Sequence, residues 1–368
     1  MAMTSPPTLK LFSDKCYLPA QENPTPILYP FWGKPSEDPK DPFSGRYDKY
    51  IKVGHSFSQI VNLSEADIAV YPRSWGAVLA DEEAQMQATQ FAEQARQAGV
   101  PTVIFFLGDL NKEVPVNNSV VFRTSLSRSK RRANEFAMPA WSEDFIEKYL
   151  GGEAPIRPKR PKPVIGFCGF AEPFSIPFSW KLKRCIRGLL NFVGVKKTVP
   201  SLVNPGYFIR TRAIRLLTDS TLVEGNFQIR KQFLAGALRC GGTVDTDVMR
   251  RVRKEFVQNM VESDYILCSR GWGNYSYRFY ETLSCGRIPV FVDTDCFLPY
   301  HHDIDWQKYC VWVDESEIQD IAEKVAQFHD RLSPDEFVNL QRKCRKLWEE
   351  WLSPQGFFSN FYRHFVRA

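Results

Sequence analysis

The chain has 368 residues, 43% of them apolar and 24% charged, with a formal charge of +6. That length exceeds one small core and points to two domains, and the charge suits an anionic ligand while being small for a nucleic-acid binder of this size. Nine cysteines lack CxxC pairing and mostly sit in apolar runs (Cys168, Cys240, Cys268, Cys285, Cys310), which argues for buried reduced thiols rather than a disulfide framework or a metal finger.

Met1 to Pro19 contains no apolar stretch of signal-peptide length, and no segment approaches a membrane span. The expectation is a soluble cytoplasmic protein without stable membrane insertion, or one separated from its anchor. Residues 8–12 form a candidate strand, followed by proline-rich coil to about residue 46. ADIAVYP (66–72) is a strand, and DEEAQMQATQFAEQARQAG (81–99) is a helix with acids in its first turn, Arg96 in its last and Gly99 as its stop. PTVIFFLGD (101–109) and SVVFRTS (119–125) are further strands. Such β-α-β alternation predicts a parallel sheet with helices on its faces.

GGEAPIRPKRPKP (151–163) has little to bury and reads as an interdomain linker. A second alternating series follows: a strand at 164–170, helices over 179–192 and 207–218, a helix over 246–262, and a strand at 264–270. Next come a short helix over 275–285, strands at 288–293 and 310–314, and helices over 316–331, 334–351 and 355–367.

The junction after the strand DYILCSR carries the most chemistry. It places Ser269, Arg270, Gly271 and Gly273 at the carboxyl edge of a parallel sheet, where open α/β folds bind ligands. Glycines allow close backbone approach to an anion, and the next helix start offers free N–H groups. Arg270 can grip a diphosphate with its planar fork, and Ser276 can cap the helix or donate to a phosphate. Glu281, inside that helix, can accept from both ribose hydroxyls, so Arg270 with Glu281 describes a nucleoside diphosphate site. From the pattern alone, an Arg278–Glu281 surface pair of small value fits as well.

Further candidates are spread along the chain. Proton-transfer candidates in the amino-terminal half, which the resemblance described below would place on the acceptor side, are His55, its lone histidine, and Asp14, Asp67, Asp81 and Glu82. Gly169 with Phe170 can floor the cleft, or the glycine can simply pack against a helix. DTD (293–295) with HHDID (301–305) invites a metal reading. Turn carboxylates explain it better, and the adjacent His301 and His302 would point apart on an extended chain. Five basic residues between Arg123 and Arg132 suit an anionic acceptor, a solvated loop or a nucleic-acid module. Among Arg210, Arg212, Arg215, Arg230 and Lys231, one is expected to reach the donor.

DYILCSRGWGNYSYRFYETLSCGRIPVFVDTDCFLPYHHDIDW (264–306) resembles the carboxyl-terminal signature of the exostosin family of glycosyltransferases. The matching positions are Cys268, Arg270, Gly271, Ser276, Arg278 and Glu281, then Gly286, Ile288, Pro289 and Val290, then Leu298, Pro299, Asp305 and Trp306. Ser269 stands where the family usually has proline, and the likeness is clear over roughly 250–330. It implies a GT-B fold, two Rossmann-like α/β domains facing across a cleft. Their expected bounds are 1–150 on the acceptor side, the linker 151–163, and a nucleotide-sugar-binding domain over 164–352, with a helix over 353–368 crossing back to the first domain. The resemblance implies an inverting hexosyl- or pentosyltransferase of polysaccharide biosynthesis, independent of metal and of any cofactor, using a nucleotide sugar, expected to be UDP-linked, and a glycan or other hydroxyl acceptor. Arg270 would meet the diphosphate, helped by Arg278, and Glu281 the ribose. A nucleotide-sugar or glycan binding protein without catalysis is the alternative; nucleic acid is not an expected partner.

Overall fold

The structure, a computed structural model, describes residues 8–171, 205–232 and 245–366. The helix expected over 179–192 lies outside them. Strands β1 (Leu9–Phe12), β2 (Ser58–Ile60), β3 (Ile68–Val70), β4 (Thr102–Phe106), β5 (Ser119–Arg123) and β6 (Glu135–Ala137) form one sheet, ordered β2-β1-β3-β4-β5-β6. All its pairings are parallel. Helix α1 (Glu82–Gln97) covers one face with Ala84, Ala88, Phe91, Ala92 and Ala95. Its start is fixed by Asp81, whose carboxylate accepts from the backbone N–H of Ala84.

The second sheet is also parallel and runs β11-β10-β9-β7-β8. Its strands are β7 (Val164–Phe170), β8 (Glu224–Arg230), β9 (Tyr265–Cys268), β10 (Ile288–Asp293) and β11 (Val311–Asp314). The chain passes from β7 outward to β8, then returns to place β9 on the other side of β7. The topological switch point therefore lies between the carboxyl ends of β7 and β9, where doubly wound sheets open a crevice. Around this sheet lie α2 (Pro205–Asp219), α3 (Thr246–Val261), α4 (Tyr277–Ser284), α5 (Ile321–Asp330) and α6 (Pro334–Leu347). The overall class is α/β, with two Rossmann-like sheets meeting across a cleft in the GT-B manner.

Several elements depart from the sequence reading. β2, β6 and β8 were not expected: each is a sheet edge, and edge strands lack the continuous apolar run that marks a central one. The helix expected over 316–331 starts as a tight 3-10 turn, Glu315–Asp320, before α5. The one over 334–351 gives way after Leu347 to a π turn, Trp348–Leu352. The last, expected over 355–367, is broken into α7 (Pro354–Ser359) and Arg363–Val366. Asn360 ends α7 and donates its side-chain amide to the Glu350 and Gly356 carbonyls.

Two sets of contacts join the units. Phe358 stacks on Tyr50 at 4.6 Å and Phe361 lies 4.5 Å from Phe122, while the Trp141 indole donates to the Leu352 carbonyl. The carboxyl-terminal segment is thus built into the core of the first sheet. Between 151 and 163, contrary to a stretch with nothing to bury, Arg157 pairs with buried Asp264 at 2.6 Å and Gln341 holds the Arg157 backbone at both ends. His329 contacts the Arg160 carbonyl. Among the described residues, Cys16 is the exposed thiol, and Cys168, Cys268, Cys285, Cys296, Cys310 and Cys344 are buried and unpaired.

Candidate active site

At the switch point a cavity of about 530 Å³ opens between the two sheets. Its floor is the carboxyl end of β7 (Cys168, Gly169, Phe170), its near wall the loop after β9 and the start of α4, and its far wall Arg46, Asp109 and Trp141 of the first unit. The volume suits a nucleotide-sized ligand.

Two guanidinium groups dominate the floor. Arg278 lies 4.0 Å over the Phe167 ring and donates to the Cys168 carbonyl at 2.8 Å. Gly169 makes room for it: with φ at +155°, a Cβ there would meet Arg278 Nη2 at 2.9 Å. Arg210, on α2, donates to the Phe170 carbonyl at 2.9 Å and reaches Ser269 Oγ and the Arg270 carbonyl at 3.3 Å each. Among the described residues neither cation has a carboxylate within ion-pair distance. Burial, and then the neighbouring charge of Arg278, pushes the Arg210 pKa down to about 9. Arg278 is lowered for the same first reason. Two like charges set in a partly buried floor, without counter-ions among the described residues, suit a dianion.

The expected residues are only partly gathered here. Ser269, Gly271, Ser276, Arg278, Glu281 and Gly169 line the cavity. Ser276 occupies the N-cap position of α4 but makes no side-chain cap bond, so its hydroxyl is not spent on the helix. Arg270 is a correction. β9 ends at Cys268, and of the three residues that follow, Ser269 and Gly271 line the cavity and Arg270 does not. Arg270 folds onto the Trp272 carbonyl at 2.8 Å. Gly273 also lies outside the cavity. A Cβ there would meet the Tyr275 ring at 2.5 Å and Asp109 at 2.8 Å, because its N–H donates to Asp109 Oδ1 across the domain gap.

Glu281 is buried and does not pair with Arg278. Its Oε1 accepts from Arg253 of α3 at 3.0 Å, and Arg253 also grips Glu143 of the first unit at 2.8 and 3.1 Å. The two carboxylates hold the Arg253 charge firmly despite burial, raising its pKa. The side chain of Arg230 lines the cavity but is paired with Glu255 at 3.0 Å.

His55 is a second correction. It sits exposed on a 3-10 turn with its ring edge-on to Phe31 at 4.8 Å, away from the cavity. Asp14 and Asp81 are spent capping helices, and Asp67 accepts from the Lys10 backbone. The carboxylate that the first unit does bring to the cleft is Asp109, exposed at the end of PTVIFFLGD, just after β4. Its place past a central parallel strand was the available signal.

The acidic turn after β10 has a different use. Asp293 takes Arg128 at 2.6 Å and the Cys296 N–H at 2.8 Å, while Asp295 accepts from Ser129 N and Oγ. These are interdomain clasps. His301 and His302 do not point apart: they lie in a turn, not a strand, with ring centroids 3.5 Å from each other. The basic run is likewise divided, with Arg123 on Glu135, Arg128 on Asp293 and Arg132 on Glu113. No group of three or more potential metal-ligating side chains occurs among the described residues, and none of the helices there is long and apolar enough to cross a membrane.

Residues 225–328 match the Exostosin GT47 domain. Exostosin-1a of Danio rerio is 28% identical over 239 residues, 65% of this chain and 28% of that protein. A probable glucuronosyltransferase of Oryza sativa subsp. japonica is 35% identical over 63 residues, 17% of this chain and 14% of that one. A probable beta-1,4-xylosyltransferase of Arabidopsis thaliana is 33% identical over 63 residues, covering 17% and 15%. The chain thus spans under a third of the length of these relatives. A solved glycosyltransferase from Rickettsia africae ESF-5 aligns over 98% of both chains at 10% identity with a TM-score of 0.36.

Proposed function

Starting from an exostosin GT47 domain over residues 225–328, we propose that this protein is an inverting glycosyltransferase that takes a UDP-linked sugar as donor and a glycan hydroxyl as acceptor. The observation that carries the reading is the pair Arg210 and Arg278, two deeply set guanidiniums at the switch point of the second sheet that have no carboxylate partner among the described residues. A diphosphate supplies the charge they lack and fits their fork geometry. Ser276 Oγ and the first N–H groups of α4 add neutral donors. Glu281, oriented by Arg253 through one oxygen, offers its other to a ribose hydroxyl.

The acceptor enters from the first unit. Asp109 removes the proton of its hydroxyl, and the oxygen attacks the anomeric carbon on the face opposite the diphosphate. The bond from that carbon to the phosphate oxygen breaks, and its electron pair leaves with UDP. Arg210 and Arg278 meet the charge that grows on the leaving group, the place where fixed cations lower a barrier most. This reading requires no metal, since Asp293 and Asp295 are engaged in clasping the units together.

Titration calorimetry with UDP, followed by NMR of the product from a UDP-sugar and an oligosaccharide panel, tests it. UDP should bind, binding should fail in Arg278→Met, and the new glycosidic bond should have inverted configuration. Binding without hydrolysis or transfer of any UDP-sugar would leave a binding protein and overturn the transferase.

A further inference from the structure

Among the described residues only two Trp, Tyr or Phe side chains are exposed, Trp272 at 49% and Tyr277 at 47%. Both line the same cavity. A large apolar ring left in water normally finds a cover, and two in one cleft mark a binding face. Trp272 directly precedes Gly273, whose N–H is held by Asp109, and Tyr277 packs 5.6 Å from Tyr275. The platform therefore borders the carboxylate of the first unit.

A third cation belongs to this rim. Arg46 comes from the first unit and lines the cavity, with its Nε buried and without a hydrogen-bond partner. No carboxylate lies within ion-pair distance of it among the described residues. Burial opposes its charge, while the neighbouring Tyr47 hydroxyl, Tyr277 and Glu143 favour it and prevail; the first two are neutral phenols, and Glu143 is already held on both oxygens by Arg253. Of the cations in the cleft, Arg230 and Arg253 are neutralised by Glu255, Glu143 and Glu281, and Arg210 with Arg278 face the floor. Arg46 alone of the five stands on the opposite wall, with no carboxylate in ion-pair distance among the described residues.

We propose that Trp272, Tyr277 and Arg46 form the acceptor subsite, and that the sugar ring seated there carries an anionic substituent, a uronic-acid carboxylate. The claim rests on the reading of the cleft as a glycosyltransferase site with Asp109 as its base. Sugar rings present an apolar C–H face that packs on the electron-rich face of an indole or phenol, and this fixes the ring beside Asp109. Arg46 then takes the carboxylate through a charge-assisted hydrogen bond.

The test uses the full chain, saturated with UDP, and two probes, 4-nitrophenyl β-D-glucuronide and 4-nitrophenyl β-D-glucoside, with binding read by saturation-transfer NMR. The glucuronide should bind about tenfold tighter, the size of one hydrogen bond to a charged group. Arg46→Gln should erase that preference and Arg46→Lys should keep part of it, with the glucoside unaffected by either. Trp272→Ala should weaken both probes alike, and UDP affinity should be the same in all variants. Equal binding of the two probes by the wild type, or a preference surviving Arg46→Gln, overturns the proposal. So does displacement of the probes by UDP, or lost UDP affinity in Trp272→Ala, either of which gives the platform to the nucleobase. Should Arg46→Gln instead weaken UDP-glucuronic acid relative to UDP-glucose, the carboxylate belongs to the donor and the acceptor assignment falls. If UDP itself fails to bind, the donor site is wrong, and the same probe series without UDP still decides the subsite.

Discussion

Arg210→Met separates a ligand-binding cation from an ordinary buried residue. The folded protein holds Arg210 at about 9 against an ordinary 12.5, nominally about 5 kcal/mol of cost to its charge. Water entering the open cleft reduces that to on the order of 2–3 kcal/mol. The substitution gives up hydrogen bonds to the Phe170 carbonyl, Ser269 Oγ and the Arg270 carbonyl, about 1 kcal/mol each. A thioether chain refills most of the volume. The two sides nearly cancel, so the free variant should melt within about 4 °C of the wild type. Its UDP affinity should fall about 100-fold or more, for the loss of two charge-assisted bonds. Thermal denaturation with and without UDP reads both, because a ligand of the native state raises the melting temperature. The sign with pH follows: the folded pKa lies below the ordinary value, so the free protein sheds this proton first, and affinity is full below about pH 9 and declines above it. A variant that melts far lower on its own yet keeps the full UDP shift would refute the reasoning.

Gly169→Ala sets a methyl against Arg278 Nη2 at a backbone angle that disfavours side chains, and should cost about 1–3 kcal/mol of strain together with most of the UDP shift in melting temperature. Asp109→Asn should slow transfer by about 10²–10⁴-fold while calorimetric UDP binding stays intact; unchanged turnover would remove Asp109 as the base. Arg253→Leu leaves Glu143 and Glu281 buried without their counter-charge, and chemical denaturation should report a loss of about 3–5 kcal/mol. Transfer activity should survive EDTA, with a strict divalent-ion requirement as the opposing result.

What could be read from residue order was set by burial. β4, β7, β9 and β10 are central strands with continuous apolar runs, and each lies within a residue or a few of its expected place. β2, β6 and β8 are edges, β2 and β8 largely exposed and β6 only three residues long, with no such run to betray them. The helix expected over 334–351 starts in place, at a capping box that the structure forms from Ser333 and Glu336. Its end is a π turn held by the Ser353 N–H on the Trp348 carbonyl, a tertiary fit without a residue code.

The site divides along the same line. Strand order and the glycine turn located the cleft, since a parallel sheet always opens at its carboxyl edge. Which arginine lines it is decided by the fold, and a motif does not state that. Ser269 lines the cavity and its neighbour Arg270 does not, so the cation that a linear reading puts there stands outside, while Arg210, 60 residues earlier in the chain, lines the floor and donates to Arg270's own carbonyl. Glu281 shows the same limit from the other side. Its partner could be read as Arg278, three residues before it, but the guanidinium of Arg278 is committed to Phe167 and the Cys168 carbonyl, which leaves Glu281 to Arg253 on another helix. Local spacing proposes pairs; packing across the sheet decides among them, and it does so by giving each buried charge the nearest group that can satisfy it. Arg210 and Arg278, left on the cavity floor without a carboxylate among the described residues after that sorting, are where the proposed diphosphate is expected, and this surplus of charge, rather than any motif position, is what the proposal rests on.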